Sequence, residues 1–267
     1  MCLSSKTLLL WTSPLVFLAC AVSAVFLIRA SSSSQTLTST AQTRAGKVRN
    51  LSLQPEAFKL SRRLGNRFTS TRQIASTLVG TLITGTLQRV INVTRKQTDN
   101  GEQVEIKTIG SEAVLTWDAG TGALSSGARA SGSERELIER LVLDSPDQFV
   151  LAQLRGASYY TVARNVRPAE ANETYTGSIW NIVRIDDPQR DTGMKPESNY
   201  RLYYVNARTG MIDKIVSEVR GESIEAVVTD WIEQNGEKIP GQITWMKQGQ
   251  ILMQYRVTTF STGEQQQ

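Results

Sequence analysis

Between residues 199 and 260 strand-forming runs and short turn signals follow one another so regularly that an antiparallel sheet is the natural solution. Strands are expected over 200–206, 211–219, 223–233, 238–247 and 251–260. Ala207-Arg208-Thr209-Gly210 and Gly221 turn the chain between the first three. Asn235-Gly236 is the strongest short hairpin signal, because both residues tolerate positive φ, and Gln248-Gly249 supplies the last turn. In the final strand Ile251, Met253, Tyr255 and Val257 alternate with Leu252, Gln254, Arg256 and Thr258. Ile224, Ala226, Val228 and Ile232 share a face of the third strand, interrupted by Asp230. Period-two patterning gives one buried and one wetter face, so this sheet has a core side.

Upstream, the spacing of Ala57, Leu60, Leu64, Phe68, Thr71, Ala75 and Leu78 predicts one helix over 55–79. Arg62, Arg63, Asn66, Arg67 and Ser70 fall on its opposite face, which is either an ordinary solvated face or one drawn to anionic lipid headgroups. A long strand is expected over 81–95, with Ile83, Leu87, Ile91 and Val93 aligned. Asp99-Asn100-Gly101 turns it into a strand over 103–109, and Leu115 and Trp117 mark another over 113–118. The Gly/Ser/Ala-rich stretch 119–132 reads as a mobile loop. Ser133 and Glu136 form a capping box for a helix over 134–144 whose apolar face is Leu137, Ile138, Leu141 and Val142. Ser145-Pro146-Asp147-Gln148 is a second such start, for a helix running to Arg155 and stopped by Gly156. Phe149, Val150, Leu151 and Leu154 make that helix apolar over much of its circumference. Strands resume over 157–166 and 175–185, followed by a polar loop over 186–198. No repeat or second linker divides the chain, so residues 54–262 read as one domain and 263–267 as a tail.

The N-terminus points to the membrane. Residues 8–28 are almost wholly apolar, led by Lys6 and closed by Arg29, long enough to cross a bilayer. Segment 1–30 is therefore an uncleaved anchor or a cleaved signal ending at Val22-Ser23-Ala24 or Ile28-Arg29-Ala30. A third reading has Cys20 acylated after Phe17-Leu18-Ala19. Residues 31–53, opening on a Ser/Thr/Gln-rich tract, form a flexible linker.

Chemistry is sparse. The chain of 267 residues has no His, and both cysteines, Cys2 and Cys20, precede the folded region. That removes thiolate and imidazole chemistry and the usual nitrogen ligands for a metal. A formal charge of +5, scattered along the chain, is no nucleic-acid footprint. Ser198 near Lys195, the carboxylates Glu134, Glu136 and Glu139, and Asp186-Asp187 with Asp191 fit no catalytic or cation-binding pattern. No catalytic residue, metal site or cofactor is expected, and the chain is read as not an enzyme.

One resemblance emerges from the C-terminal run. Asn206-Ala207-Arg208-Thr209-Gly210-Met211-Ile212 leads into a hairpin, followed by Thr229-Asp230-Trp231 and Asn235-Gly236-Glu237-Lys238-Ile239-Pro240. This resembles the outer-membrane lipoprotein-sorting (LolA-like) family, in which a D-x-x-TG turn and a Y-x-x-x-x-G-x-x-[IL]-P turn recur. Asn206 stands where the family usually has Asp, and Trp231 where an aromatic commonly falls. The resemblance implies an α+β, mostly β fold: a curved antiparallel half-barrel with helices across its concave face, here preceded by an N-terminal hydrophobic helix. It also implies an apolar hollow. Acyl chains suit such a hollow, since each buried methylene is worth about 0.8 kcal/mol. Face assignment nominates Trp117, Leu137, Leu141, Phe149, Leu151, Trp231, Met253 and Tyr255 as its lining. The function expected is a non-catalytic, extracytoplasmic lipid- or lipoprotein-binding carrier or sensor of the cell envelope, anchored through 8–28 or exported to the periplasm. The alternative is a membrane-anchored interaction module with a filled core, presenting loops 119–132 and 186–198 to a protein partner.

Overall fold

The computed structural model describes residues 55–68, 74–98, 101–112, 114–118, 124–126, 136, 139–154, 157–168, 177–186, 200–219 and 222–264. Every described residue belongs to one compact unit within Val48–Gln267. The expected anchor or signal over 1–30, the linker 31–53, Ser133, Leu137, Ile138, and loop residues 187–198 lie outside the described residues. Among the described residues no helix is long and apolar enough to cross a membrane.

Twelve strands form one sheet. They are β1 (Ile74–Thr84), β2 (Leu87–Thr98), β3 (Gly101–Thr108), β4 (Val114–Asp118), β5 (Leu124–Ser126), β6 (Ser158–Val166), β7 (Trp180–Asp186), β8 (Tyr200–Asn206), β9 (Ile212–Val219), β10 (Glu222–Gln234), β11 (Glu237–Lys247) and β12 (Gln250–Glu264). Helix α1 (Pro55–Leu64) and a 3₁₀ turn (Asn66–Phe68) precede them. A π-helical turn (Glu139–Leu143) and helix α2 (Gln148–Leu154) interrupt them between β5 and β6. The sheet order is β5-β4-β3-β2-β1-β12-β11-β10-β9-β8-β7-β6. Two antiparallel meanders thus meet where the first strand pairs with the last, Leu78 opposite Phe260 and Leu82 opposite Tyr255. The fold is mostly β, an unclosed antiparallel sheet with few helices.

This topology dictates where the helices go. Strands β5 and β6 follow one another among the strands of the chain but occupy opposite edges of the sheet. The chain between them must therefore pass over one face, and residues 139–154 are the described part of that crossing. The insert turns Leu141, Val142, Phe149 and Val150 into the same core cluster as Val93, Val104 and Ile106 on one meander and Tyr203, Ile215 and Trp245 on the other. Phe149 is fully buried, with Tyr159 and Tyr203 packed edge-on at 5.6 and 5.1 Å between ring centroids. Such side chains bring about 1.5–3 kcal/mol each from burial. The outer face carries a smaller cluster of Trp180 and Val227 with Tyr204 and Met246, capped by Lys214, whose Nζ lies 4.5 Å from the Tyr204 ring.

Several expectations are corrected. The helix expected over 55–79 ends at Leu64, because Gly65 takes φ +115, and residues 74–84 form β1 instead. Ile74, Thr77, Val79 and Thr81 are β-branched and pack better on a pleated surface than on a helix. The single strand expected over 81–95 is a hairpin, turned by Gly85 and Thr86, so Leu82 rather than Ile83 is buried and Leu87 is exposed. Within 119–132, expected to be loop, residues 124–126 pair with β4 as an edge strand. Ile251 does not share the buried face of Met253, Tyr255 and Val257. The register slips by one residue between Trp245 and Met246, so Ile251 pairs with Met246 and is 66% exposed.

Candidate functional site

The inner face of the sheet is apolar except along a polar seam beneath the insert. In β2 the buried alternation Ile91, Val93 continues into Arg95, and in β3 Glu102 precedes Val104 and Ile106 in the same phase. Strand pairing brings Arg95 Nη1 to 2.6 Å from Glu102 Oε1. Arg95 Nη2 donates to Ser145 Oγ at 2.9 Å, and Gln148 Nε2 donates to Glu102 Oε2 at 3.0 Å. Burial works against the Arg95 cation, but the carboxylates of Glu102 and Asp147 outweigh it and raise its pKa above the ordinary arginine value. Ser145 is thus not the helix cap its position suggests: its hydroxyl donates to the Val142 carbonyl and receives Arg95.

Arg67 extends this first cluster. The sequence pattern places it on a solvated helix face, yet its side chain is only 4% exposed. Because α1 stops at Gly65, Arg67 leaves the outer face and turns inward. Its Nη1 donates to Glu237 Oε2 at 2.8 Å, and its Nη2 donates to Asp147 Oδ1 at 3.1 Å and to the Lys238 carbonyl at 3.0 Å. The backbone N–H groups of Asn66 and Arg67 both donate to Glu237 Oε1. A Cβ on residue 65 would lie 2.3 Å from the Glu237 carboxylate, so only glycine fits there.

A second cluster ties the insert to the other meander. Asp144, 1% exposed, accepts Arg140 Nη1 at 2.8 Å and Arg201 Nε at 2.6 Å. Ser217 Oγ lies 3.3 Å from Arg140 Nη1 and 3.4 Å from Asp144 Oδ2. The insert is therefore held by hydrogen-bonded charge at β2 and β3 through Ser145 and Gln148, at the 3₁₀ turn after α1 through Asp147, and at β8 and β9 through Asp144.

Among the nominated lining residues, Trp117, Leu141, Phe149, Met253 and Tyr255 all enter the one core cluster, and Trp231 packs half-buried against it. Leu151 is buried without joining that cluster, and Leu137 lies outside the described residues. Trp231 Nε1 donates to the Ile212 carbonyl at 3.3 Å, beside a kink where Asp230 adopts φ +54. Tyr255 lays its ring over Gly80, and burial pushes its phenol pKa well above the usual tyrosine range. The polar seam is what the face assignment missed. Its signal is present in the sequence: Arg95, Glu102 and Arg201 share a phase with the buried apolar residues beside them, Ile91 and Val93, Val104 and Ile106, and Tyr203. Asp186, considered for a cation, instead accepts Arg184 Nε at 2.6 Å, and among the described residues no group of three acidic or cysteine side chains gathers for a metal.

Asn206 fills the turn role expected of an Asp. Its Oδ1 accepts the N–H groups of Arg208 and Thr209 at 3.0 and 3.1 Å. No family model matches the chain, and no curated protein matches it. Solved structures do. One is assigned as an outer membrane lipoprotein-sorting protein domain from Vibrio parahaemolyticus, with 7% identity over 79% of this chain and 93% of that one, and a TM-score of 0.46. A DUF1329 family protein from Desulfovibrio piger matches at 9% identity over 79% and 93%, with a TM-score of 0.47. A LolA superfamily protein from Nitrosomonas europaea matches at 8% identity over 77% and 92%, with a TM-score of 0.44. Over most of its length the chain is similar to solved structures of the LolA superfamily and of outer-membrane lipoprotein-sorting domains.

Proposed function

We propose that the protein is a non-catalytic, extracytoplasmic binding protein of the cell envelope that takes an acyl chain between its helical insert and the inner face of its sheet. The observation that carries this reading is the unclosed topology: β5 and β6 are not paired with each other, and residues 139–154 of the connection between them lie on the inner face as a π-helical turn and a short helix. Among the described residues this cover is joined to the sheet through side chains and not through a strand ladder. Beneath it lie Trp117, Met253 and Tyr255, and on its underside Leu141 and Phe149, all apolar surfaces suited to methylene groups. Binding of this kind needs no reacting group. The apolar run 8–28 would hold the domain at a membrane, the source of such chains.

The test is photolabelling of the full chain with a diazirine-bearing fatty acid, followed by peptide mass mapping. Adducts at Leu141, Phe149, Met253 or Tyr255, competed by unlabelled fatty acid, are the expected result. Adducts confined to residues 8–28 would overturn it.

One observation favours a second reading. Phe149, Tyr203 and Trp245 are each at most 1% exposed members of one core cluster, with Phe149 packed edge-on against Tyr203. On that reading the core is filled for good and the domain is an anchored interaction module. Labelling restricted to the outer surface, with the insert unmoved in hydrogen exchange, is the result that would favour it.

A further inference from the structure

The two polar clusters beneath the insert differ in charge balance. In the first, Arg67 and Arg95 face three carboxylates, those of Glu102, Asp147 and Glu237. In the second, Arg140 and Arg201 share, among the described residues, the single carboxylate of Asp144. Both guanidinium groups there are more than nine-tenths buried, at 6% and 7% exposure. Arg201 spends only its Nε on Asp144, and among the described residues its Nη1 and Nη2 have no protein acceptor. Arg140 spends only Nη1, and its buried Nε has no partner among the described residues. Glu222, an exposed acid that feels the Arg140 charge, is hydrogen-bonded to Lys247 at 2.7 Å. Two largely buried cations that share one carboxylate are under-neutralised, and a guanidinium is shaped to meet an oxyanion with two parallel N–H bonds.

The geometry points to Arg140 and Arg201 as the subsite for one oxyanionic headgroup, a carboxylate or a phosphate, of an amphiphile whose chain runs beneath the insert. This rests on the acyl-binding reading above and adds to it the charge of the ligand. Position supports it. Arg201 and Tyr203 share the buried face of β8, Ser217 and Ile215 that of β9, and Tyr203 packs on Phe149. A headgroup at Arg201 therefore abuts the apolar interior at Tyr203, where a chain would begin. Asp144 holds both arginines in place and leaves their remaining donors for the ligand.

The experiment is calorimetric titration of the full chain, held in an amphipathic polymer, with palmitate, hexadecanol, phosphatidylglycerol and inorganic phosphate. Palmitate and hexadecanol share a chain and differ in charge. Palmitate is expected to bind roughly 10- to 100-fold more tightly, the value of a charge-assisted hydrogen-bonded pair. Arg201→Gln is expected to erase that difference, and Arg201→Lys to restore part of it. Equal binding of palmitate and hexadecanol to the wild-type chain would overturn the subsite and leave the acyl reading standing. Should this comparison be the only one to survive because the variants do not fold, it decides the matter alone. Arg201-dependent binding of phosphate without either amphiphile would keep the subsite and remove the acyl reading. Phosphatidylglycerol displacing palmitate would identify a phospholipid headgroup, and failure to displace it a free fatty acid. Absence of binding by all four probes would overturn both.

Discussion

Arg67 and Glu237 stand 170 residues apart in the chain, yet Arg67 Nη1 lies 2.8 Å from Glu237 Oε2 with both side chains nearly out of reach of water. The same carboxylate accepts two backbone N–H groups from the turn after α1. This one acid therefore fixes the end of the first helix, the start of β11 and, through Arg67 and Asp147, the insert.

Glu237→Gln is expected to lower unfolding free energy by about 3–5 kcal/mol, because it leaves the buried Arg67 cation short of a counter-charge. Glu222→Gln, which breaks the exposed pair with Lys247, should leave the denaturant midpoint where it was. Parallel urea titrations of the two variants check this. Equal midpoints would sink the assignment of Glu237 as a structural anchor.

Gly65→Ala tests the same corner from the other side. The added methyl meets the Glu237 carboxylate at 2.3 Å, and φ +115 strains any L side chain. A loss of about 1–3 kcal/mol is expected from the backbone alone. Unchanged thermal stability would mean that the turn does not adopt this conformation in solution.

Phe149→Ala removes a ring that is fully buried between Tyr159 and Tyr203. The expected cost is about 3–5 kcal/mol, with faster amide exchange across 139–154 than in β8 to β12. Uniform acceleration over the whole sheet would show instead that the insert and the strands open as one unit.

Alkaline stability follows from two tyrosines. Burial raises the pKa of Tyr255, and burial, then the charges of Glu225 and Tyr200, raises that of Tyr204. The unfolded chain loses these protons near the ordinary tyrosine value of 10.0 while the folded chain retains them. Stability is therefore whole below that pH and falls as pH rises above it. Denaturant midpoints at pH 9 and pH 11 should diverge for the wild-type chain and diverge less for Tyr255→Phe. A slope unaltered in that variant would refute the role of Tyr255.

The C-terminal half was readable because each signal there is local. Asn235 and Gly236 both have positive φ, as do Gln248 and Gly249, and the strands they join fall within one or two residues of expectation except that β12 runs on to Glu264. Upstream, two periods competed. Leu60, Leu64, Phe68 and Leu78 satisfy helical spacing across a segment that Gly65 breaks, and the β-branched residues after it win by pairing with β12. Leu87 and Ile83 conceal a hairpin turned by Gly85, since an apolar run can bridge a tight turn unnoticed. The polar seam was hidden for a different reason. Arg201 is far in sequence from Arg140 and Asp144, and Arg140 and Asp144 alone read as an ordinary i, i+4 pair on a solvated helix. Only the crossing from one sheet edge to the other brings them together and takes them out of water.

The pairing of β1 with β12 has a consequence for the order in which the molecule can be made. A chain that leaves the ribosome or a membrane channel N-terminus first presents β1 to β5 with one flank of β1 bare, and its own partner for that flank, β12, is missing until Gln250–Glu264 have emerged. Closing so long a loop makes the final step slow, and an unprotected strand flank invites pairing with another chain. Truncation within β12 would accordingly do more harm than loss of either sheet edge, because it would unzip the protein along its midline.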